Sequence, residues 1–204
     1  LAAGTSGQVL QTGGSGANPS WGTVSSDFVK LAEYSVSGNP NEVIFDNYFS
    51  STYRNYKVFG DGITHSVTNN NMRFNMRSGG SSGSDFTTGV YYVVKNGSQR
   101  NSSGNSDNNS GTWGSGDGYV DLIDYDDTSN NGSAFEMTIY TPNIATNTNV
   151  STQSIATYNN FTSVQSSVCG NAIDDTTQFT GIKFKIQTSS NHFTAGHFKL
   201  YGIK

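Results

Sequence analysis

From residue 28 onward, apolar and polar residues alternate with a period of two, the spacing of a strand that buries one face. Met72-Arg73-Phe74-Asn75-Met76-Arg77 alternates without a fault and predicts a strand with one wet face. Comparable patterns predict strands over 28–34, 43–45, 53–60, 119–123, 134–140, 162–168, 182–187 and 196–203. The run Val90-Tyr91-Tyr92-Val93-Val94 does not alternate, which predicts a strand over 89–95 covered on both sides. Ser37-Gly38-Asn39-Pro40 has the residues of a turn. Ten strands and no helix predict an all-β fold, an antiparallel jelly-roll-like β-sandwich over 25–204 preceded by a separate segment over 1–24.

Composition sharpens this picture. Only 33% of the residues are hydrophobic but 12% are aromatic, so Phe and Tyr must supply much of the core. The chain has 24 Gly and 3 Pro, which suits short strands joined by many turns. Charged residues make up 13%, against about a quarter in an average protein, so solubility rests on hydroxyls and amides, as on surfaces that face sugars or sit in an oligomer. The net charge of −4 leaves no basic stripe for phosphates, and nucleic acid is not expected as a partner. One cysteine, Cys169, excludes an intrachain disulfide and a Cys-rich zinc site; it is expected to end a strand as a small buried hydrophobe. No apolar run reaches membrane-spanning length, so membrane insertion is not expected. The chain starts at Leu1 without signal-peptide character, which predicts a fragment that continues upstream.

Two segments break the strand pattern. In 1–24, five glycines interrupt a lone apolar pair, Val9 and Leu10, before Pro19 and Trp21. A single copy lacks the apolar area to offset its ordering entropy, whereas three copies around an axis would bury Val9, Leu10 and Trp21 against their equivalents. The alternative is a Gly/Ser linker. Residues 96–118, NGSQRNSSGNSDNNSGTWGSGDG, have Trp113 as the single large apolar side chain and predict a long exposed loop. There Trp113 would stack on a sugar ring while Asn108, Asn109 and Asp117 supply hydrogen bonds; the alternative is a loop with Trp113 pinned to the core.

Gly4-Thr5-Ser6-Gly7-Gln8-Val9-Leu10-Gln11, with Gly13, Gly16, Pro19, Ser20 and Trp21, resembles the Gly-rich GTxGQVLxxxGxGxxPSW segment of bacteriophage tail-fibre proteins. Phe198-Lys199-Leu200-Tyr201-Gly202-Ile203-Lys204 resembles the terminal strand of marine-phage fibres. The resemblance covers the two ends and not the middle. It implies a virion location, a trimeric shaft segment joined to other virion proteins, and a receptor-binding tip that attaches to host cell-surface polysaccharide. Head fibres, collar appendages and decoration proteins share the Gly-rich element and remain alternatives.

No catalytic constellation is expected. The histidines are His65, His192 and His197, no G-x-S-x-G frames a nucleophile, and His192 and His197 are read as surface or partly buried groups rather than a ligand pair. Asp117, Asp121, Asp124, Asp126 and Asp127 fit no calcium-loop spacing and are read as solvated acids. A glycan-degrading tailspike is the second alternative, but such spikes tend to be long repeat-built β-helices and no repeat is visible here. Neither a metal nor a cofactor is expected.

Overall fold

The computed structural model describes residues 1–23, 26–67, 70–88, 90–101, 106–115, 118–126, 132–158 and 163–204; at 90, 91, 99–101, 106–115, 124–126, 158 and 163 only the backbone is described. Strands hold 60% of the chain, and the helical content is one 3₁₀ turn, Gly80–Ser82. In chain order they are β1 (Gln8–Gln11), β2 (Ser20–Thr23), β3 (Phe28–Ser35), β4 (Glu42–Phe45), β5 (Asn55–His65), β6 (Asn70–Ser78), β7 (Ser84–Asp85), β8 (Val90–Asn101), β9 (Ser106–Ser115), β10 (Val120–Asp126), β11 (Ser133–Tyr140), β12 (Thr148–Tyr158), β13 (Ser163–Asp174), β14 (Gly181–Ile186) and β15 (Phe193–Ile203).

β1 and β2 form a hairpin of their own. The rest form an antiparallel sandwich of one eight-stranded sheet, ordered β3-β15-β5-β11-β12-β13-β8-β9, and one smaller sheet, ordered β10-β6-β14-β4 with β7 on β6. The chain crosses repeatedly between them. The expected turn at 37–40 is one crossing, with Gly38 and Asn39 at φ 70° and 54°, values that Gly and Asn tolerate best. Its flanking strands, β3 and β4, therefore lie in different sheets.

The alternation read in the sequence builds the core. Met72, Phe74 and Met76 of β6 and Ile182, Phe184 and Ile186 of β14 face Tyr56, Val58, Phe135, Met137, Ile139, Phe198 and Leu200 of the large sheet, all buried. Phe184 joins the layers, its ring centroid 5.4 Å from those of both Phe135 and Phe198, an edge-and-offset cluster that aromatic quadrupoles favour. Gly60 is required in β5 because the Phe135 ring and Ile63 occupy the space a Cβ would take.

Registers fix two poles. Phe28 pairs with Ile203, which pairs with Asn55; the same level continues through Tyr140, Asn149, Ala172, Tyr92 and Gly114. β3 leaves the Gly-rich segment at this end. The ends of the β8–β9 and β12–β13 pairs, Arg100 with Ser106 and Tyr158 with Ser163, lie at the opposite pole.

Four expectations are corrected. Residues 96–118 are not one long loop: β8 and β9 pair from Tyr91↔Ser115 to Arg100↔Ser106, and β8 pairs along its whole length with β13. Backbone hydrogen bonds do not depend on side-chain hydrophobicity, so a Ser/Asn run laid against a partner completes a sheet. The polar side of β6 is not simply wet, since Asn75 and Arg77 are buried. The 89–95 strand is not covered on both sides in a single chain, since Tyr92 is 51% and Val94 60% exposed. Cys169 is buried as expected, but in the middle of β13 rather than at a strand end.

Candidate functional site

The outer face of the large sheet is divided. Over β5, β11 and β15 charged and polar groups stand outside with a few rings such as Phe59 and Tyr201 among them, and the inside is apolar. Over β8, β12 and β13 the rule is partly inverted: Val93, Val150 and Ile173 face the core, but polar groups join them there and aliphatics stand outside. On β13, Gln165, Ser167, Cys169 and Asn171 are buried, while Val164 and Val168 face outward and Val168 is 56% exposed. On β12, Thr148, Thr152 and Ser154 point inward and Ile155 outward at 49% exposure; on β8, Lys95 points inward and Val94 outward. The inner hydroxyls find each other, with Ser154 Oγ 2.7 Å from Ser167 Oγ. Burying a Val or Ile stabilises by about 1.5–3 kcal/mol, so each outward residue forgoes roughly half of that in a lone chain.

Alternation leaves fifteen described outward positions on these three strands, and the one charged residue among them, Asp174, ends β13. Their relief comes from Gly170, which pairs with Val94 on one side and Ser151 on the other. A methyl added at Gly170 would meet nothing within 4 Å, so the glycine is the floor of a depression. Two grooves meet there. One, about 530 Å³, runs past Val94, Asn96, Ser98, Ser166 and Val168. The other, about 380 Å³, lies among Tyr92, Tyr140, Asn149, Ser151 and Ala172. A third, about 480 Å³, lies between Phe59, Asp61, Glu136, Gln153 and Ile155, where charge returns to the face.

β9 ends the sheet. Its ladder with β8 sets Asn108 opposite Ser98, Asn109 opposite Gly97 and Trp113 opposite Val93. Asn108 and Asn109 thus sit toward the far pole, while Trp113 lies about 13–16 Å along the strand at ~3.3 Å per residue, toward the pole where the chain enters. The expected receptor contacts do not form one cluster at the backbone level. The side chains of Asn108, Asn109 and Trp113, and Asp117 altogether, lie outside the described residues.

No family model, characterised protein or solved structure matches this chain. The site is therefore read from its own geometry.

At the N-terminal segment, Leu10 pairs with Trp21 and Val9 with Gly22, forming a hairpin rather than an irregular linker. The Trp21 ring lies over Gly4, and its Nε1 donates to the Ala2 carbonyl at 2.6 Å. Val9, Leu10 and Trp21 all remain exposed, so pairing alone does not bury them.

The outer face of the small sheet is built differently, from satisfied charges. Arg77 clamps Asp46 through two hydrogen bonds of 2.7 and 2.9 Å and also binds Asp85. Lys183 joins Asp85 to Glu42. Burial pushes the Asp85 carboxyl up, but hydrogen bonds and charge from Lys183 and Arg77 outweigh it and hold the group below its ordinary value. Asp121, read as a solvated acid, instead accepts from Arg73 at 2.5 Å and Asn71 at 3.0 Å, and the Arg73 guanidinium lies 3.9 Å from the Tyr119 ring centroid. Among the described residues, no three His, Cys, Asp or Glu side chains gather as a metal site would need. On the inner side, Lys95 stands opposite Cys169; burial lowers the lysine's pKa and raises the thiol's.

Proposed function

We propose that this chain is the distal part of a bacteriophage tail fibre, a non-enzymatic adhesin that acts as a homotrimer and attaches to host cell-surface polysaccharide. The observation that carries the reading is the polarity of the sandwich. The chain leaves the fibre-like Gly-rich segment at the pole of Phe28, while the ends of the β8–β9 and β12–β13 pairs lie at the other. A fibre joined at the first pole presents the second to the cell. Near that pole β8 and β9 carry Asn96, Ser98, Ser106, Asn108 and Asn109, uncharged donors and acceptors suited to sugar hydroxyls. β9 is the terminal strand of its sheet. Three such edges on one fibre would multiply a weak contact into a long residence.

The test is competition. Purified protein in excess blocks phage adsorption to host cells, and Asn108→Ala/Asn109→Ala protein of unchanged melting temperature blocks it poorly. Adsorption unaffected by the native protein at saturating concentration overturns the reading.

A further inference from the structure

The inverted end of the sandwich has a requirement that a single chain does not meet. Register in a sheet is specified by which face is buried, because a one-residue slip exchanges the faces. β13 nevertheless turns Val164 and Val168 outward and Gln165 and Ser167 inward, and unbroken ladders set Val94 of β8 and Ile155 of β12 on the same outward face. Val93, Val150 and Ile173 of the same strands face the core, but the four outward aliphatics form an exposed apolar patch of the kind that marks an interaction surface. The uninterrupted apolar run at Val90–Val94 has the same implication, since runs of that kind belong to strands covered on both faces.

We propose that the outward face of β8, β12 and β13 is where this sandwich packs against further copies of its own chain, the Val94–Val168 ridge of one copy entering the Gly170-floored groove of the next. The proposal deepens the assembly part of the reading above and rests on it only for the number of copies. Four features select this occupant. Four of the six large apolar groups exposed on the face and its β11 flank, Val94, Ile155, Val164 and Val168, are β-branched aliphatics, which pack against protein and give no ring for a sugar to stack on; Tyr92 and Tyr140 stand together at one end of it. Among the described residues, the middle of the face carries no charge, and its acids, Asp174 at the end of β13 and Glu136 on the flanking β11, lie at the margin; a charge-depleted centre within a polar rim marks protein interfaces. With the four outward positions of β11 the face comprises nineteen described residues, close to the roughly 20–30 a side that a standard interface uses. Ridge and groove lie side by side on one surface, so copies arranged with this face toward a common axis can each offer a ridge to one neighbour and a groove to the other.

The experiment measures mass by light scattering on the full chain at micromolar concentration, without host cells. Native protein gives three times 21.8 kDa, and Val94→Lys/Val168→Lys, two changes at exposed positions, falls to 21.8 kDa with an unchanged circular dichroism spectrum. Leu10→Lys, in the N-terminal hairpin, separates the two assembly surfaces: it leaves the sandwiches associated. Should the double variant misfold, hydroxyl-radical footprinting of the native protein decides. Tyr92 and Tyr140 are then labelled more slowly than Tyr48, which is less exposed than either in the single chain. A native mass of 21.8 kDa, a double variant that stays assembled, or Tyr92 and Tyr140 labelled at least as fast as Tyr48 overturns the proposal. A double variant that keeps its mass but no longer blocks adsorption also overturns it, by making the face the receptor site. Assembly through this face without any block of adsorption leaves it standing and removes the adhesin reading instead.

Discussion

The two halves of the large sheet use the same backbone geometry to opposite ends. Around β5, β11 and β15, aromatic and aliphatic side chains meet the smaller sheet in a dry core, and Lys57, Glu136 and Asp61 face water. Around β8, β12 and β13, serine, threonine, glutamine and lysine turn inward beside Val93, Val150 and Ile173, and Val94, Val164, Val168, Ile155 and Tyr92 face out. The first half carries its stabilising contacts inside one chain. The second is tied on by ladders of backbone hydrogen bonds with fewer buried aliphatics beneath them, and its outward apolar groups lack contacts within one chain.

The sharpest way to break this comparison is to delete one apolar group from each half. Phe184→Ala opens a cavity between Phe135 and Phe198 and costs about 3–5 kcal/mol of unfolding free energy. Val168→Ala changes the unfolding of the isolated monomer by less than about 0.5 kcal/mol, because its side chain is mostly outside the single-chain core. Urea melts of the two proteins check the pair; equal losses would make the halves alike.

A smaller effect tests the charged outer face of the small sheet. The folded-state pKa of Asp85 lies below its ordinary 3.8, so its contribution is present above that pH and is lost as pH falls through the folded value. Asp85→Asn is therefore less stable than native protein at neutral pH, by a margin that closes in acid. Denaturant unfolding across the acid range measures that margin.

The smallest effect lies under the inverted half. Burial depresses the Lys95 pKa below 10.5, partly opposed by Cys169 and Asp121, so unfolded chains bind the extra proton and stability rises with pH through the window just below 10.5. Lys95→Met lacks that rise, and the native-minus-variant difference in unfolding free energy grows toward 10.5. Carrying Cys169→Ala in both proteins removes the opposite trend from Cys169, whose raised pKa erodes stability above 9.0 and itself depends on Lys95.

Much of the first half was legible in the sequence. β6, β11 and β14 announce themselves by alternation, because each separates an apolar core from a polar outside. β9 and β12 were not found. TNVSTQSIATY and SDNNSGTWGS carry too little hydrophobic contrast to show a period, and Ser, Asn and Gly are also the residues of turns. Trp113 was singled out by residue type, yet nothing local sets it in the same ladder as Asn108, nor places it toward the other pole. The outward face centred on Gly170 was missed as a site. Its signal was present in the apolar run at 90–94 and in Val164 and Val168 four residues apart, but only the register of β8 against β13 brings them together.

The pairing of Phe28 with Ile203 at one pole, far from the ends of β8 and β9, decides how the molecule bears load. Tension entering along β3 and resisted at the other pole runs parallel to every strand of the large sheet. It must shear the whole β3–β15–β5 ladder at once, rather than open it one hydrogen bond at a time.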